Sequence, residues 1–285
     1  MLYVDKNIVN TWYAAGTGKV GGQLKYSDIA IETMLKLYYV FNLSLSGSIG
    51  FMTSLLKLLG LEVDVPDESR LSRRGKGVKL TIRHNGKYSD ASVFSMDSSG
   101  LRIYGQGEWN RKKHGDNKRK QFVKLHILVN NNTLEIVDII STNSDVHDCE
   151  VFDSLLKNVP CGSTTLADGA YGNHDAYNKA VQKDIYLIAK PKLNDVINND
   201  NPNDGDMLRN LHISKFKNKG LYAWANKVGY WRRNDVENTF GRVKQQFGSR
   251  LKSRNMANQL SEIAIKCNIT NDFMKLSMNN GLRAC

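Results

Sequence analysis

The chain is 285 residues long, 41% hydrophobic and 24% charged, with a formal net charge of +12. Such a length holds one or two domains with a substantial core, and the composition excludes a disordered or fibrous chain. The pI near 9.4 favours a polyanionic partner. No apolar run is long enough to span a bilayer, and the N-terminus shows no signal-peptide pattern. Cys149, Cys161, Cys267 and Cys285 have no zinc-type spacing, so the sequence reads as cytosolic and reduced, with no membrane partner.

Residues 1–26 contain Trp12, Tyr13 and a glycine-rich turn through Gly16, Gly18, Gly21 and Gly22, and carry no readable chemistry. From Ser27 the apolar spacing of Ile31, Met34, Leu35, Tyr38 and Val40 predicts a helix that breaks near Asn42. A second helix is expected over Ser46–Leu59, with Gly47 and Gly50 weakening its first turns. Asp67 is a candidate N-cap for a short third helix carrying Arg70, Arg73 and Arg74. Three helices ending in a basic one resemble a helix-turn-helix unit, so residues 1–80 are expected to form a helical, DNA-binding region. The competing reading of the same arginines is a solvated helix face.

The pattern then changes to α/β over residues 81–285. Ala91–Met96 reads as a strand ending at Asp97, and Phe122–Val129 with Thr133–Ile140 as a hairpin around Asn130, Asn131 and Asn132. A helix over Val146–Lys157, a strand Thr164–Ala167 ending at Asp168, a helix through Tyr177 and Val181, and a strand Ile185–Ala189 follow. The Asn/Asp-rich stretch Asn194–Asp206 is expected as a mobile loop inside an insertion of about 191–228, whose residues 207–228 are ambiguous. A last helix is expected over Ile263–Leu276.

Between them lies Tyr230–Phe247. On a helix turning about 100° per residue, Tyr230, Arg233, Glu237 and Lys244 fall within an arc of roughly 60°. Val236, Phe240, Val243 and Phe247 form an adjoining apolar stripe that can seat the helix on a sheet. Taken alone, this is an amphipathic helix with an Arg233–Glu237 pair worth a few tenths of a kcal/mol. Asp97 and Asp168 alter its meaning, because acids at strand ends stand where α/β sheets expose ligand sites. Singly, each is more often a turn or cap residue. Together with Glu237 they would repel, and a divalent cation relieves that repulsion; oxygen-only ligands select Mg²⁺ or Mn²⁺. Two such ions activate an attacking oxygen and stabilise a leaving oxygen at a phosphodiester. His114, His126 and His147 have no partner at ligand spacing, and Trp224 and Trp231 read as packing residues.

FSMDSSG, LADGAYG and the Tyr230-x2-Arg233-x3-Glu237-x6-Lys244 array resemble the D, D and E blocks of bacterial insertion-sequence transposases, in the group carrying the Y-R-E-K signature. Residues 26–37, 104–115 and 124–130 are similar to that group as well, so the resemblance covers about residues 25–275. Gly172 stands where the family usually has a further Asp. The resemblance implies a ribonuclease-H-like catalytic core, a mixed sheet flanked by helices, behind a helical DNA-binding region. It implies a DNA transposase that binds terminal inverted repeats, with Asp97, Asp168 and Glu237 holding two Mg²⁺ or Mn²⁺ ions and Asp97 bridging both. Water would cut a strand at the element's end, and the freed 3′-hydroxyl would attack target DNA directly. Tyr230, Arg233 and Lys244 would contact DNA near the scissile phosphate. The basic run Arg111, Lys112, Lys113, His114, Lys118, Arg119 and Lys120 would track the backbone, against the plainer reading of a solvated hairpin tip. Synapsis of two ends implies a homodimer or larger assembly on double-stranded DNA, in the bacterial cytoplasm at the nucleoid. The alternatives are a DNA-binding regulator without catalysis and a ribonuclease-H-like nuclease without strand transfer.

Overall fold

The structure, a computed structural model, describes residues 6–16, 18, 20–76, 81–84, 88, 91–103 and 122–279. Helices α1 (Asp28–Val40), α2 (Leu45–Leu58) and α3 (Glu68–Arg74) come first. Each is opened by a side-chain oxygen: Ser27 accepts from the Ala30 amide, Ser44 from Gly47 and Asp67 from Arg70. Caps of this kind contribute about 1 kcal/mol each, and the Ser44 cap sits at the turn that Gly47 weakens. Trp12, Ile31, Met34, Leu37, Met52 and Leu56 make one buried cluster that also takes in Ile265 and Ile269 from the far end of the sequence. Ion pairs reinforce the same join, Lys36 to Asp272 at 2.7 Å and Arg83 to Glu32 at 2.6 Å.

The sheet follows, with β1 (Val93–Arg102), β2 (Phe122–Asn130), β3 (Ile136–Asn143), α4 (Asp148–Leu156), β4 (Thr164–Ala167), α5 (His174–Gln182) and β5 (Tyr186–Ala189). The helices α6 (Asp204–Val228), α7 (Asn234–Phe247) and α8 (Met256–Asn279) complete the described chain. Among the described residues five strands form one sheet in the order β3-β2-β1-β4-β5. The β1–β2 and β2–β3 pairs are antiparallel, while β1–β4 and β4–β5 are parallel. On one face, Phe94, Met96 and Leu187 meet Phe152, Leu155 and Tyr177 of α4 and α5. On the other, Leu125, Ile127 and Val129 meet Val236, Phe240 and Val243 of α7 and Ile263 of α8. Leu166 and Ile188 meet Phe216 and Trp224 of α6 on their own cluster. The apolar stripe of α7 thus seats that helix on the sheet, as its spacing predicts.

Two local expectations are corrected, the end of β1 and the start of α7, and the stretch between β5 and α7 is described. Strand β1 does not stop at Asp97 but runs to Arg102, because Asp97 to Arg102 pair in register with Ile127 to Phe122 of the strongly apolar β2. Cross-strand pairing outweighs the weak strand propensity of the Asp-Ser-Ser-Gly run. Residues 207–228 are helical, with a break at Gly220 (φ 76°, ψ 170°). The Asn-rich stretch before α6 is tied down by the Arg209 guanidinium, which donates to the carbonyls of Gly172 and Val196 and to the Asp195 carboxylate. Finally, Tyr230–Arg233 is a 3₁₀ turn, set off from α6 by the left-handed Gly229, that runs directly into α7 at Asn234. No single helix among the described residues is long and apolar enough to cross a membrane; α1 and α2 pass such a test only as a pair bent by 111°.

Two buried polar side chains hold this arrangement. Asn131 at the hairpin tip accepts from the Ser95 hydroxyl at 2.8 Å and donates to the Arg232 carbonyl at 2.6 Å and to Asp235 at 2.9 Å. One amide therefore ties β1, the hairpin and the turn before α7 together. Asn131→Ala leaves these buried groups unpartnered and should cost about 2–3 kcal/mol in urea denaturation. His126 is fully buried beside the Tyr171 and Thr142 hydroxyls. Burial pushes its imidazole down to about 4. An unfolded histidine protonates near 6.5, so the neutral buried ring contributes stability above that pH and loses it as pH falls towards about 4. The full difference is roughly 3 kcal/mol. His126→Asn should flatten the pH dependence of the urea midpoint in that window; an unchanged slope would show that another group sets it.

Candidate active site

Asp97 projects from β1 on the face that carries α7, two residues before Ser99 on the same side. Asp168 directly follows β4, and β1 and β4 are parallel neighbours with Met96 opposite Ala167. The register therefore brings the two acids to the same level of adjacent strands. Each is fixed locally, Asp97 accepting from the Ser98 amide at 2.8 Å and Asp168 from the Gly169 amide at 2.7 Å. Glu237 stands in the first turn of α7.

Arg233, the last residue before α7, joins two of the three. Its Nη2 lies 2.9 Å from Asp97 Oδ2 and its Nη1 2.5 Å from Glu237 Oε1. The Arg233 and Asp97 side chains are only 12% and 17% exposed, whereas Glu237 is 54% exposed. Burial pushes the Asp97 carboxyl above its ordinary value; the Arg233 guanidinium and the Ser98 amide oppose this, and Asp168 and Glu237 add to it. Arg233 is raised, because Asp97, Tyr230 and Glu237 together outweigh its desolvation. The pairing with one cation thus leaves Asp97 under-compensated. Among the described residues no three His, Cys, Asp or Glu side chains form a closed metal-binding group; the guanidinium lies between Asp97 and Glu237 instead. An all-oxygen donor set that already holds one cation and still penalises its central carboxylate has the chemistry that fits a hard divalent ion.

The remaining expected residues divide. Lys244 donates to Ser99 at 2.6 Å, which places a second cation along β1 beside Asp97. Tyr230 is 5% exposed and packs on Trp224; its hydroxyl donates to the Ala167 carbonyl at 3.3 Å, next to Asp168, within electrostatic reach of Arg233, Asp97 and Glu237. The 3₁₀ turn points this ring inward, where it pins the turn to the end of β4. Arg70 pairs with its own cap Asp67, and Arg73 reaches the Ser69 carbonyl. Arg74 is spent on structure, bonding the Tyr26 carbonyl and Asp28. Arg111, Lys112, Lys113 and His114 lie outside the described residues. Trp224 is core as expected, but Trp231 is 39% exposed, beside Tyr222. Ser99 has no role in the sequence pattern, and Asn131 figures there only as a hairpin-turn residue. Carrying β1 past Asp97 would have exposed Ser99 by its period of two, whereas nothing local marks Asn131 as more than a turn residue.

Residues 88–271, more than half of the chain, match the family described as transposase DDE domain, and residues 1–106 match a second family of the same description. Among solved structures, the chain is similar to the piggyBac transposase of a synaptic complex with hairpin DNA, with a TM-score of 0.51 at 12% identity over 100% of this chain and 76% of that one. A looser likeness, TM-score 0.34 at 10% identity over 93% and 84% of the two chains, is to the Drosophila P element transposase of a strand transfer complex. The first likeness confirms the ribonuclease-H-like architecture, a mixed sheet flanked by helices and preceded by helices. Matched over residues 88–271, the chain belongs to the transposase DDE domain family.

Proposed function

We propose that this transposase is of the Y-R-E-K group of insertion-sequence enzymes, binds terminal inverted repeats, and cuts and joins DNA strands at Asp97, Asp168 and Glu237. The observation that carries this reading is the β1–β4 register, which aligns Asp97 with Asp168, together with the Arg233 bridge from Asp97 to Glu237. These three carboxylates would hold two Mg²⁺ or Mn²⁺ ions, which supply activation of the attacking oxygen and stabilisation of the leaving oxygen. The side chains do the rest. Arg233 holds Glu237 beside Asp97 and would be the cation nearest the reacting phosphodiester. Lys244, steadied by Ser99, adds positive charge one step along β1 and positions the phosphate without reading sequence. Tyr230 acts through the backbone, locking the turn that aims Arg233.

Duplex DNA is the proposed partner, with a homodimer or larger assembly holding two ends. Residues 1–80 would present Arg70 and Arg73 of α3 to DNA from a helical unit seated on α8, while Arg111, Lys112, Lys113 and His114 would follow the backbone near the cut. The protein would work in the bacterial cytoplasm, at the nucleoid.

Asp97→Asn should reduce Mn²⁺-dependent nicking and joining of a labelled inverted-repeat duplex by about 10³-fold or more, the scale of losing one preorganised electrostatic partner. Unimpaired cutting by this variant sinks the triad, and nicked product without joined product in the wild type reduces the activity to a nuclease. Arg233→Ala should lower Tm in chelator, because Asp97 and Glu237 lose their shared cation, and Mn²⁺ should restore Tm while cutting stays about 100-fold down. Recovery of both together would make Arg233 a purely structural counter-ion.

A further inference from the structure

A cleft that the carboxylate site does not use lies directly against Asp168. Its volume is about 930 Å³, and its walls are Asp168–Ala170, Lys190–Leu193 at the end of β5, and Phe216, Lys217, Gly220 and Leu221 of α6. The first two walls are in close register, since a side chain at Gly169 would come within 2.8 Å of the Lys190 carbonyl. Lys190, Lys192 and Lys217 are all exposed on this cleft. Lys217 is steadied there by donating to the Asp195 carbonyl at 2.6 Å. Among the three cations stands Leu193, 86% exposed.

The third wall is built around a defect. Helix α6 breaks at Gly220, whose φ of 76° and ψ of 170° only glycine adopts readily. Nothing lies within 4 Å of where its Cβ would be, so packing does not demand the glycine; the backbone turn does. The break starts a new helical segment at Leu221 on the cleft wall, and the first amides of such a segment have no intrahelical acceptors. Lysines, helix-start amides, the exposed Leu193 and the half-buried Leu221 in one cleft suit an anionic ligand that also has apolar faces. Duplex DNA offers its phosphates but hides its base faces in the stack, whereas a single strand offers both.

We propose that this cleft binds a single-stranded stretch of DNA adjoining the phosphodiester at Asp97, Asp168 and Glu237, with Lys190, Lys192 and Lys217 on its phosphates and unstacked bases against Leu193 and Leu221. The inference rests on the proposed cutting site only for the location of the strand; the binding is measurable without any cutting. The probe is a fluorescent duplex, either blunt or carrying an oligothymidine tail of about 10 nucleotides, within the usual span of single-strand sites. Anisotropy is read with the full chain in chelator across a salt series. The wild type should bind the tailed duplex more tightly than the blunt one. The Lys190→Glu/Lys192→Glu/Lys217→Glu variant should lose that advantage, with the tailed-duplex slope of log K against log salt falling by about 2, from about 0.7 for each single-strand phosphate contact. Leu193→Asp, which keeps the lysines, should weaken the tailed probe alone, and Tm confirms that both variants fold. Equal loss on both probes makes the cleft a duplex track and overturns the proposal, as does no loss on either. Displacement of the tail by polyglutamate as effectively as by oligothymidine also overturns it, in favour of an acidic peptide. A tail preference in a chain that cuts nothing leaves the cleft standing and removes only the proposed chemistry.

Discussion

Confined negative charge is the constraint around which this molecule is arranged. Asp97 is brought into a largely buried position by β1, Asp168 is set beside it by the parallel register, and Glu237 at the start of α7 is linked to Asp97 through Arg233. Like charges at such spacing oppose folding unless cations stand among them. Arg233 meets that requirement inside the chain, and its position depends in turn on a turn anchored by Tyr230 below and Asn131 beside it. The apolar stripe of α7 and the polar bridge at its start are thus two halves of one device. Val236, Phe240 and Val243 set where the helix lies, and Arg233 sets what its first turn faces.

Much of this was legible in the sequence because the signals were local and strong. The helix start at Ser27, the cap at Asp67, the β4 boundary at Ala167–Asp168 and the stripe of α7 follow from side-chain chemistry within a few residues. The misses share a different origin. The length of β1 depended on β2, from which it is separated in sequence, so a polar run that looks like a turn became a paired strand. Tyr230 is buried because its 3₁₀ turn sets the hydroxyl against the Ala167 carbonyl, a contact across 63 residues that spacing along the chain does not reveal. Arg233 illustrates both sides. Its i,i+4 pairing with Glu237 is readable from spacing, whereas its contact with Asp97, 136 residues away, requires the fold.

The chemistry of the site and the shape around it have separate physical origins. Asp97 comes from the interior of β1, Asp168 from the end of β4, and Glu237 and Arg233 from a helix start, all closely specified by the sheet and its packing. The cleft wall at Gly220 comes instead from a helix that the sequence interrupts at one residue. An interrupted helix beside the acids lets the cleft wall differ in form and charge without disturbing the residues around Asp97. Loops and helix breaks are where such surfaces are usually built, because they leave the core undisturbed.

The join between the first helices and α8 has a consequence for how the chain is made. Ile31, Met34 and Met52 bury themselves partly against Ile265 and Ile269, more than two hundred residues later in synthesis. Until those residues leave the ribosome, the amino-terminal helices carry an apolar surface with no native cover. Contacts of such long sequence separation form late and slowly. The element that emerges first is therefore among the last to become secure, and a shortened product ending before α8 would present a sticky helical face rather than a free-standing DNA-binding module.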